Sequence, residues 1–322
     1  MKKILGNLLR IAISFGILSY LVLTNDISEI LAVLKGVEMP LFALALAIFL
    51  VALLLFSLRW QVLLTFSGIR LPYHRLVGYY FVGYFLNNFL PTMIGGDIGR
   101  AYFVARDSGR QADAVGIILL ERILGILATL TLASIATFWA FRQFDSGLIL
   151  LITIALLALV AFFLLNLLNT RLHHFSLRLL EKLTILGLGE RISEILTKIY
   201  AFREGKRQVV IAFLLSLGCQ LLLIGMNYAL ALSLHIEVSF GYLMFVIPAT
   251  FVMGLIPSIN GIGVRDAGYN TLLGAVGVDS PAAISLSFLN TLVPMLMSLV
   301  GGVLLVWLKR KDPGASISSI AE

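Results

Sequence analysis

Charge is scarce in this chain. Only 13% of its 322 residues are Asp, Glu, Lys or Arg, while 60% are hydrophobic. A soluble domain cannot bury so large an apolar share, so a water-soluble enzyme or binding module is excluded and the class is an integral membrane protein. Cysteine is rarer still. Cys219 stands alone inside an apolar run, which excludes an intrachain disulfide and leaves a small core side chain. Of the four histidines, the pair His173-His174 has no partners at metal spacing, and Ser67 and Ser258 have no triad partners. No Walker A loop and no Rossmann glycine fingerprint occurs, so neither a nucleotide cofactor nor a metal is expected. The net charge of +7 belongs, in so apolar a chain, to positive-inside loops rather than to a nucleic-acid surface.

What is present is a set of long apolar runs and two interruptions. Ile4–Thr24, Pro40–Leu58, Ala112–Phe141, Gly147–Leu168, Val209–Ser233 and Ala282–Leu308 are long enough to span a bilayer. The first follows Met1-Lys-Lys but has no small-x-small cleavage site, so it reads as an uncleaved helix. Leu76–Leu90 reaches only about 22 Å at helical rise before Pro91-Thr-Met-Ile-Gly95-Gly96-Asp97 breaks it. Leu243–Ile256 is also short, and Pro257-Ser-Ile-Asn260-Gly261-Ile-Gly263 breaks it in the same way. Irregular backbone at membrane depth is tolerated only inside protein or beside water, and a paired break in each half points to a transporter's site.

The fold class expected is therefore all-α integral membrane, with about six full crossings plus two re-entrant hairpins arranged as an inverted repeat. One membrane domain covers residues 1–311, and a disordered tail covers 312–322. Lys and Arg place both termini in the cytoplasm of the cytoplasmic (inner) membrane, with Arg59, Arg70 and Arg75 inside and the loop holding Asp26, Glu29 and Glu38 outside. Within 171–208, apolar residues at helical spacing among basic ones suggest two amphipathic helices on the inner leaflet.

Charges at membrane depth cost several kcal/mol unless paired or hydrated. Asp97, Arg100, Glu121, Arg122, Arg265 and Asp266 all fall there. Two readings stand. They pair with one another and pin the hairpins, or the helix N-termini after each break, with Gly95, Gly96, Asn260, Gly261, Gly263 and the forks of Arg100 and Arg265, hold a phosphate while Glu121 and Asp97 bind a cationic headgroup or couple to protons. Asn87 and Asn88 suit the capping of a broken end.

As a set, Arg59-Trp60, Gly83-x-Phe85-x-Asn87-x-x-Leu90-Pro91, Gly95-Gly96-Asp97-x-x-Arg100, Glu121-Arg122-x-x-Gly125 and Pro257-x-x-x-Gly261-x-Gly263-Val264-Arg265-Asp266 resemble the lysylphosphatidylglycerol synthase transmembrane, or flippase-like, family. The resemblance implies movement of an anionic or aminoacylated phospholipid, or of a polyprenyl-linked lipid, between leaflets. The soluble aminoacyltransferase domain of some relatives is not expected here, so a stand-alone membrane form without synthase activity is the reading. The chain departs from the pattern at Asp266, where relatives commonly carry Glu, and at Asn260, where they often carry Gly or Pro. A membrane phospholipid is the expected partner, with a lipid-modifying enzyme as a second. The rival functions are a membrane glycosyl- or aminoacyl-transferase and a scaffold for lipid modification.

Overall fold

The computed structural model describes residues 27–89, 95–144, 169–180, 205–254 and 263–311, with scattered positions between 154 and 166. The expected helix at 4–24 and more than half of that at 147–168 lie outside the described residues. So do the second amphipathic helix, the tail, and both break segments with Pro91, Pro257, Asn260 and Gly261.

The described chain is all-α. Its helices are α1 (Ile27–Lys35), α2 (Met39–Phe66), α3 (Tyr73–Phe89), α4 (Gly95–Ser108), α5 (Gln111–Phe144), α6 (Thr170–Leu180), α7 (Lys206–Ser233), α8 (Phe240–Met253), α9 (Val264–Gly274) and α10 (Ser280–Lys311). Among the described residues four stretches are long and apolar enough to cross a membrane: Met39–Phe66, Gln111–Thr137, Lys206–Ser233 and Ser280–Trp307. The short helix α8, with 14 residues, rises only about 21 Å. The segment expected as an outer loop instead forms the helix α1, which packs on α10.

Local chemistry sets the helix starts. The Ser239 hydroxyl accepts from the Tyr242 N–H at 3.2 Å and opens α8. Gly263 takes φ 85°, a left-handed value that glycine adopts without strain, and its N–H donates to Asp266 at 2.9 Å to open α9. The Asn87 carbonyl oxygen accepts from the Gly96 N–H at 2.7 Å, so the side chain of one hairpin arm caps the other.

Side-chain contacts fix the directions. The N–H of Glu38, before α2, donates to the carbonyl of Ser233, at the end of α7, at 2.9 Å. Gly218 lies against Leu55, and Gly205, before α7, lies against Phe66, at the end of α2. The two helices therefore run antiparallel over their whole lengths. In the first hairpin Leu86 meets Gly99, Tyr79 stacks on Phe103 with centroids 5.1 Å apart, and Arg75 reaches Asp107 at 3.4 Å. Both arms thus begin and end at one face, beside the end of α2, where Arg110 donates to the carbonyl of Ser67. In the second hairpin Met253 meets Gly268 and the Tyr242 hydroxyl donates to the Leu272 carbonyl at 2.6 Å. Its ends lie at the opposite face, beside Ser233.

The halves correspond element by element. Met39 and Lys206, and Tyr73 and Phe240, are each 167 positions apart, whereas Gly95 and Val264, and Gln111 and Ser280, are each 169 apart. Packing follows the same symmetry: α3 lies on α10 as α8 lies on α5, and α4 on α5 as α9 on α10, with α2 and α7 paired at the centre. An antiparallel central pair and hairpins from opposite faces make this an inverted repeat. Close approach between α3 and α10 needs glycine, because a Cβ at Gly301 would strike the Phe81 backbone.

The arrangement makes a topological prediction. In a Cys219→Ala background, Ser108→Cys and Ser239→Cys should react with a membrane-impermeant maleimide from opposite faces. Labelling of both from one side would rule out opposed hairpins.

Candidate functional site

Charged residues from α2, α4 and α5 converge at the tip of the first hairpin. The Glu121 carboxylate on α5 is the hub, with 1% exposure. It accepts from Arg59 of α2 at 2.6 Å, from Arg100 of α4 at 3.2 Å and from the Tyr80 hydroxyl of α3. Arg59 also donates to Ser216 of α7 at 2.9 Å. Arg100 turns its other amine to Asp97 at 2.6 Å, and Asp97 in turn takes Arg122. The order Arg59–Glu121–Arg100–Asp97–Arg122 alternates in sign and carries three cations against two anions. Aromatic faces complete the shell. The Arg100 guanidinium lies 4.0 Å from the Tyr80 ring centroid and 5.0 Å from that of Trp60.

Burial orders this chain of charges. Arg59, Glu121, Arg100 and Asp97 are buried, but the Arg122 side chain is 43% exposed. It faces a cavity of about 700 Å³ between α4 and α5, lined by Asp97, Ile98, Tyr102, Arg106, Gln111 and Arg122 among others. Arg106 and Gln111 stand at the membrane-face end of these helices, and Asp97 and Arg122 at the inner end. The length between them, about 14–16 Å at helical rise, is close to half a bilayer core. Ile98, Val115 and Leu119 are exposed along the same groove.

The second hairpin carries a different set. Arg265 donates to the Thr291 hydroxyl of α10, and its buried Nε has no hydrogen-bond partner among the described residues. The Ser287 hydroxyl donates to Asp266. Nearby, the Tyr269 hydroxyl donates to Asn227 at 2.9 Å, and Asn227 donates to Asn290 at 3.1 Å. By the repeat offset Glu121 corresponds to Asn290, Arg122 to Thr291, Asp97 to Asp266 and Arg100 to Tyr269. The charged bridge of one half is an amide bridge in the other.

Three expectations are revised by this geometry. Arg59 does not lie in a cytoplasmic loop. Helix α2 continues beyond Leu58 to Phe66, because Trp60, Leu63 and Leu64 bury, and this carries Arg59 into the core, where Glu121 compensates it. Arg100 and Arg265 do not share one phosphate seat. Ser216 and Asn227, which mark the two clusters, are about 16 Å apart along α7. Nor does the carboxylate of Glu121 face a ligand, since three donors occupy it. Gly95 and Gly96 open α4 within the first cluster, and Gly263 opens α9 within the second. Sequence reasoning missed Arg59, Tyr80, Ser216, Asn227 and Asn290. The detectable signal was a set of polar side chains embedded in long apolar runs.

The match to a family model for the lysylphosphatidylglycerol synthase TM region covers residues 7–302. The chain belongs to that family. It is also similar to a UPF0104 membrane protein of Pyrococcus horikoshii, 23% identical over 306 residues, which span 87% of this chain and 90% of the relative. Family membership and the apolar helices together make this a multi-pass membrane protein.

Burial predicts how the members of the cluster differ. Glu121→Ala leaves the buried Arg59 without a counter-charge and Arg100 with Asp97 alone, and should lower stability by about 3–5 kcal/mol, read as a large fall in the unfolding midpoint of the purified protein in detergent. Arg122→Ala, at the half-exposed end, should stay within about 1 kcal/mol. Equal losses would show that depth does not order the cluster.

Proposed function

We propose that the protein carries an anionic lipid headgroup between leaflets of the cytoplasmic membrane, as a transporter rather than an enzyme. The observation that carries this reading is the α4–α5 groove, which runs from the membrane face to about mid-depth and ends at a half-exposed guanidinium. A charged headgroup pays several kcal/mol or more to enter hydrocarbon. A groove with polar ends and apolar rims offers that headgroup a polar seat while its acyl chains stay in lipid. Arg122 supplies a forked donor for a phosphate oxygen. Asp97 beside it gives the inner end both signs, which suits a phosphate whose headgroup also carries an amine. The anionic or aminoacylated phospholipid implied by the family, or a polyprenyl phosphate, meets this chemistry.

Orientation follows from charge. Arg70, Arg75, Arg106, Arg110, Lys206 and Arg207 cluster at the face where the first hairpin enters, whereas Glu29, Glu38, Glu237 and Asp279 lie toward the other. The positive-inside rule places the first face in the cytoplasm. The headgroup is thus taken up from the inner leaflet. A second reading, a scaffold for a lipid-modifying enzyme, is favoured by the saturation of Glu121 and Arg100, whose pairs hold four helices together.

Reconstitution separates the two. The protein in liposomes should speed leaflet exchange of labelled phosphatidylglycerol without nucleotide, and Arg122→Ala should slow it several-fold at equal incorporation. Wild-type exchange no faster than in empty liposomes, for phosphatidylglycerol, its lysyl form and a polyprenyl phosphate alike, would leave the scaffold reading.

A further inference from the structure

The α4–α5 groove holds a guanidinium at each end, and each is paired. At the mouth the fork of Arg106 donates to Asp107 at 3.1 and 3.2 Å and lies 5.3 Å from the Phe103 ring centroid. At the inner end Arg122 donates to Asp97. Both arginines line the cavity, and their side chains are 28% and 43% exposed. Neither carboxylate depends on its groove arginine alone. The second oxygen of Asp107 accepts from the Tyr79 hydroxyl and from Arg75 at 3.4 Å. The second oxygen of Asp97 accepts from Arg100 at 2.6 Å. Removing the only partner of a buried charge is strongly destabilising, but here either arginine can turn away and leave its carboxylate held. Asp97 and Asp107 stand about 15 Å apart along α4 at helical rise, with Ala101, Tyr102, Val115 and Ile118 lining the stretch between. A phosphate oxygen meets a guanidinium at about 2.7–2.9 Å, so one phosphate does not bridge the two ends.

We infer that Arg106 and Arg122 are two successive seats for one anionic headgroup, each yielded to the lipid by the carboxylate that holds it. This rests on the lipid-transport reading and adds the path within it. An anion at the mouth takes Arg106 from Asp107, which keeps Tyr79 and Arg75. Further in, the anion takes Arg122 from Asp97, which keeps Arg100. Each exchange trades one charge-assisted pair for another. Competition from the carboxylate therefore moderates both seats, and it recovers the arginine once the headgroup moves on. Tyr79 is a positioning residue in this scheme. Its hydroxyl carries no charge and faces Asp107 rather than the cavity, yet by holding that carboxylate it makes Arg106 easier to take. Arg100 has the same relation to Asp97, but it also binds Glu121, so only the mouth separates this role from architecture.

The test reads occupancy of each seat apart from transport. In a Cys219→Ala background, Gln111→Cys at the mouth and Leu119→Cys, one turn from Arg122, are each labelled with bimane and placed in phosphatidylcholine nanodiscs. Both positions are exposed on the groove. Phosphatidylglycerol or phosphatidylcholine, spin-labelled near the head of one acyl chain, is then titrated as quencher. Each reporter should half-quench at about tenfold lower phosphatidylglycerol than phosphatidylcholine, a difference of about 1.4 kcal/mol. Arg106→Gln should remove the preference at 111 and leave that at 119, and Arg122→Gln should do the reverse. The unaffected reporter serves as the control for folding. Tyr79→Phe, which changes no charge, should lower the preference at 111 about threefold and leave that at 119. No preference at either reporter, or preferences that fall together in either arginine variant, overturns the inference. A Tyr79→Phe protein with both preferences intact overturns it too, since Asp107 would then not govern Arg106. Displacement of quenching by micromolar glycerol phosphate in the aqueous phase would assign the seats to a soluble phosphoester and overturn it as well. Separate responses of the two reporters, with no lipid exchange in liposomes, would defeat the transport reading alone.

Discussion

The structure depends on one carboxylate. Glu121 lies where an uncompensated charge would cost several kcal/mol, and it is satisfied by donors from three other helices. Arg59, Tyr80 and Arg100 each bring a separate element to that point, and Arg59 extends the contact to α7 through Ser216. Lipid tails supply no hydrophobic drive between helices, so close packing and polar pairs must do the assembly. Here the packing comes from glycine contacts such as Gly301 against Phe81 and Gly99 against Leu86. The polar pairs come from this cluster and from its amide counterpart at Asn227 and Asn290.

A buried ion network of this kind is ordinarily weak evidence for anything beyond architecture. What separates this one is its gradient of exposure. The interior pairs are closed on all sides and act as a fastening. The last guanidinium opens to a groove, where its field reaches whatever enters. The paired interior charges fit the architectural interpretation, and the proposed binding role rests on the outermost residue alone. Arg59, Glu121 and Arg100 hold helices, while Arg122, with Asp97 behind it, faces outward.

Much of the fold was legible in the sequence because membranes impose length. The interruptions at Pro91 and Pro257 left apolar runs too short to cross, and the four described spans lie where long runs were read. The inverted arrangement followed from the distribution of Lys and Arg and is seen in the antiparallel pairing of α2 with α7. The site was less legible. Arg59 reads as the start of a loop because a charge looks like the end of an apolar run, whereas the helix continues past it to Phe66. Arg100 and Arg265 looked equivalent in their motifs, yet one is held by carboxylates and the other by a hydroxyl. The rotation of each helix about its axis decides such partners. In a helix apolar all round, sequence periodicity does not report that rotation.

The pairing of α2 with α7 also has a consequence for how the chain is made. Arg59 leaves the ribosome well before Glu121 and long before Ser216, so α2 enters the bilayer carrying an arginine whose partners do not yet exist. At the centre of a helix such a residue costs about 2.5–3.5 kcal/mol on insertion scales. The rest of α2 carries no other Asp, Glu, Lys or Arg between Met39 and Phe66 and is apolar enough to carry it in. Until α5 arrives, the guanidinium must snorkel toward the face from which the first hairpin will enter. The first repeat is thus incomplete as synthesised, and the second repeat is the template on which it closes. In this protein assembly of the halves is a late, coupled step of biogenesis, and a chain that ends before α7 leaves its central helix unpartnered.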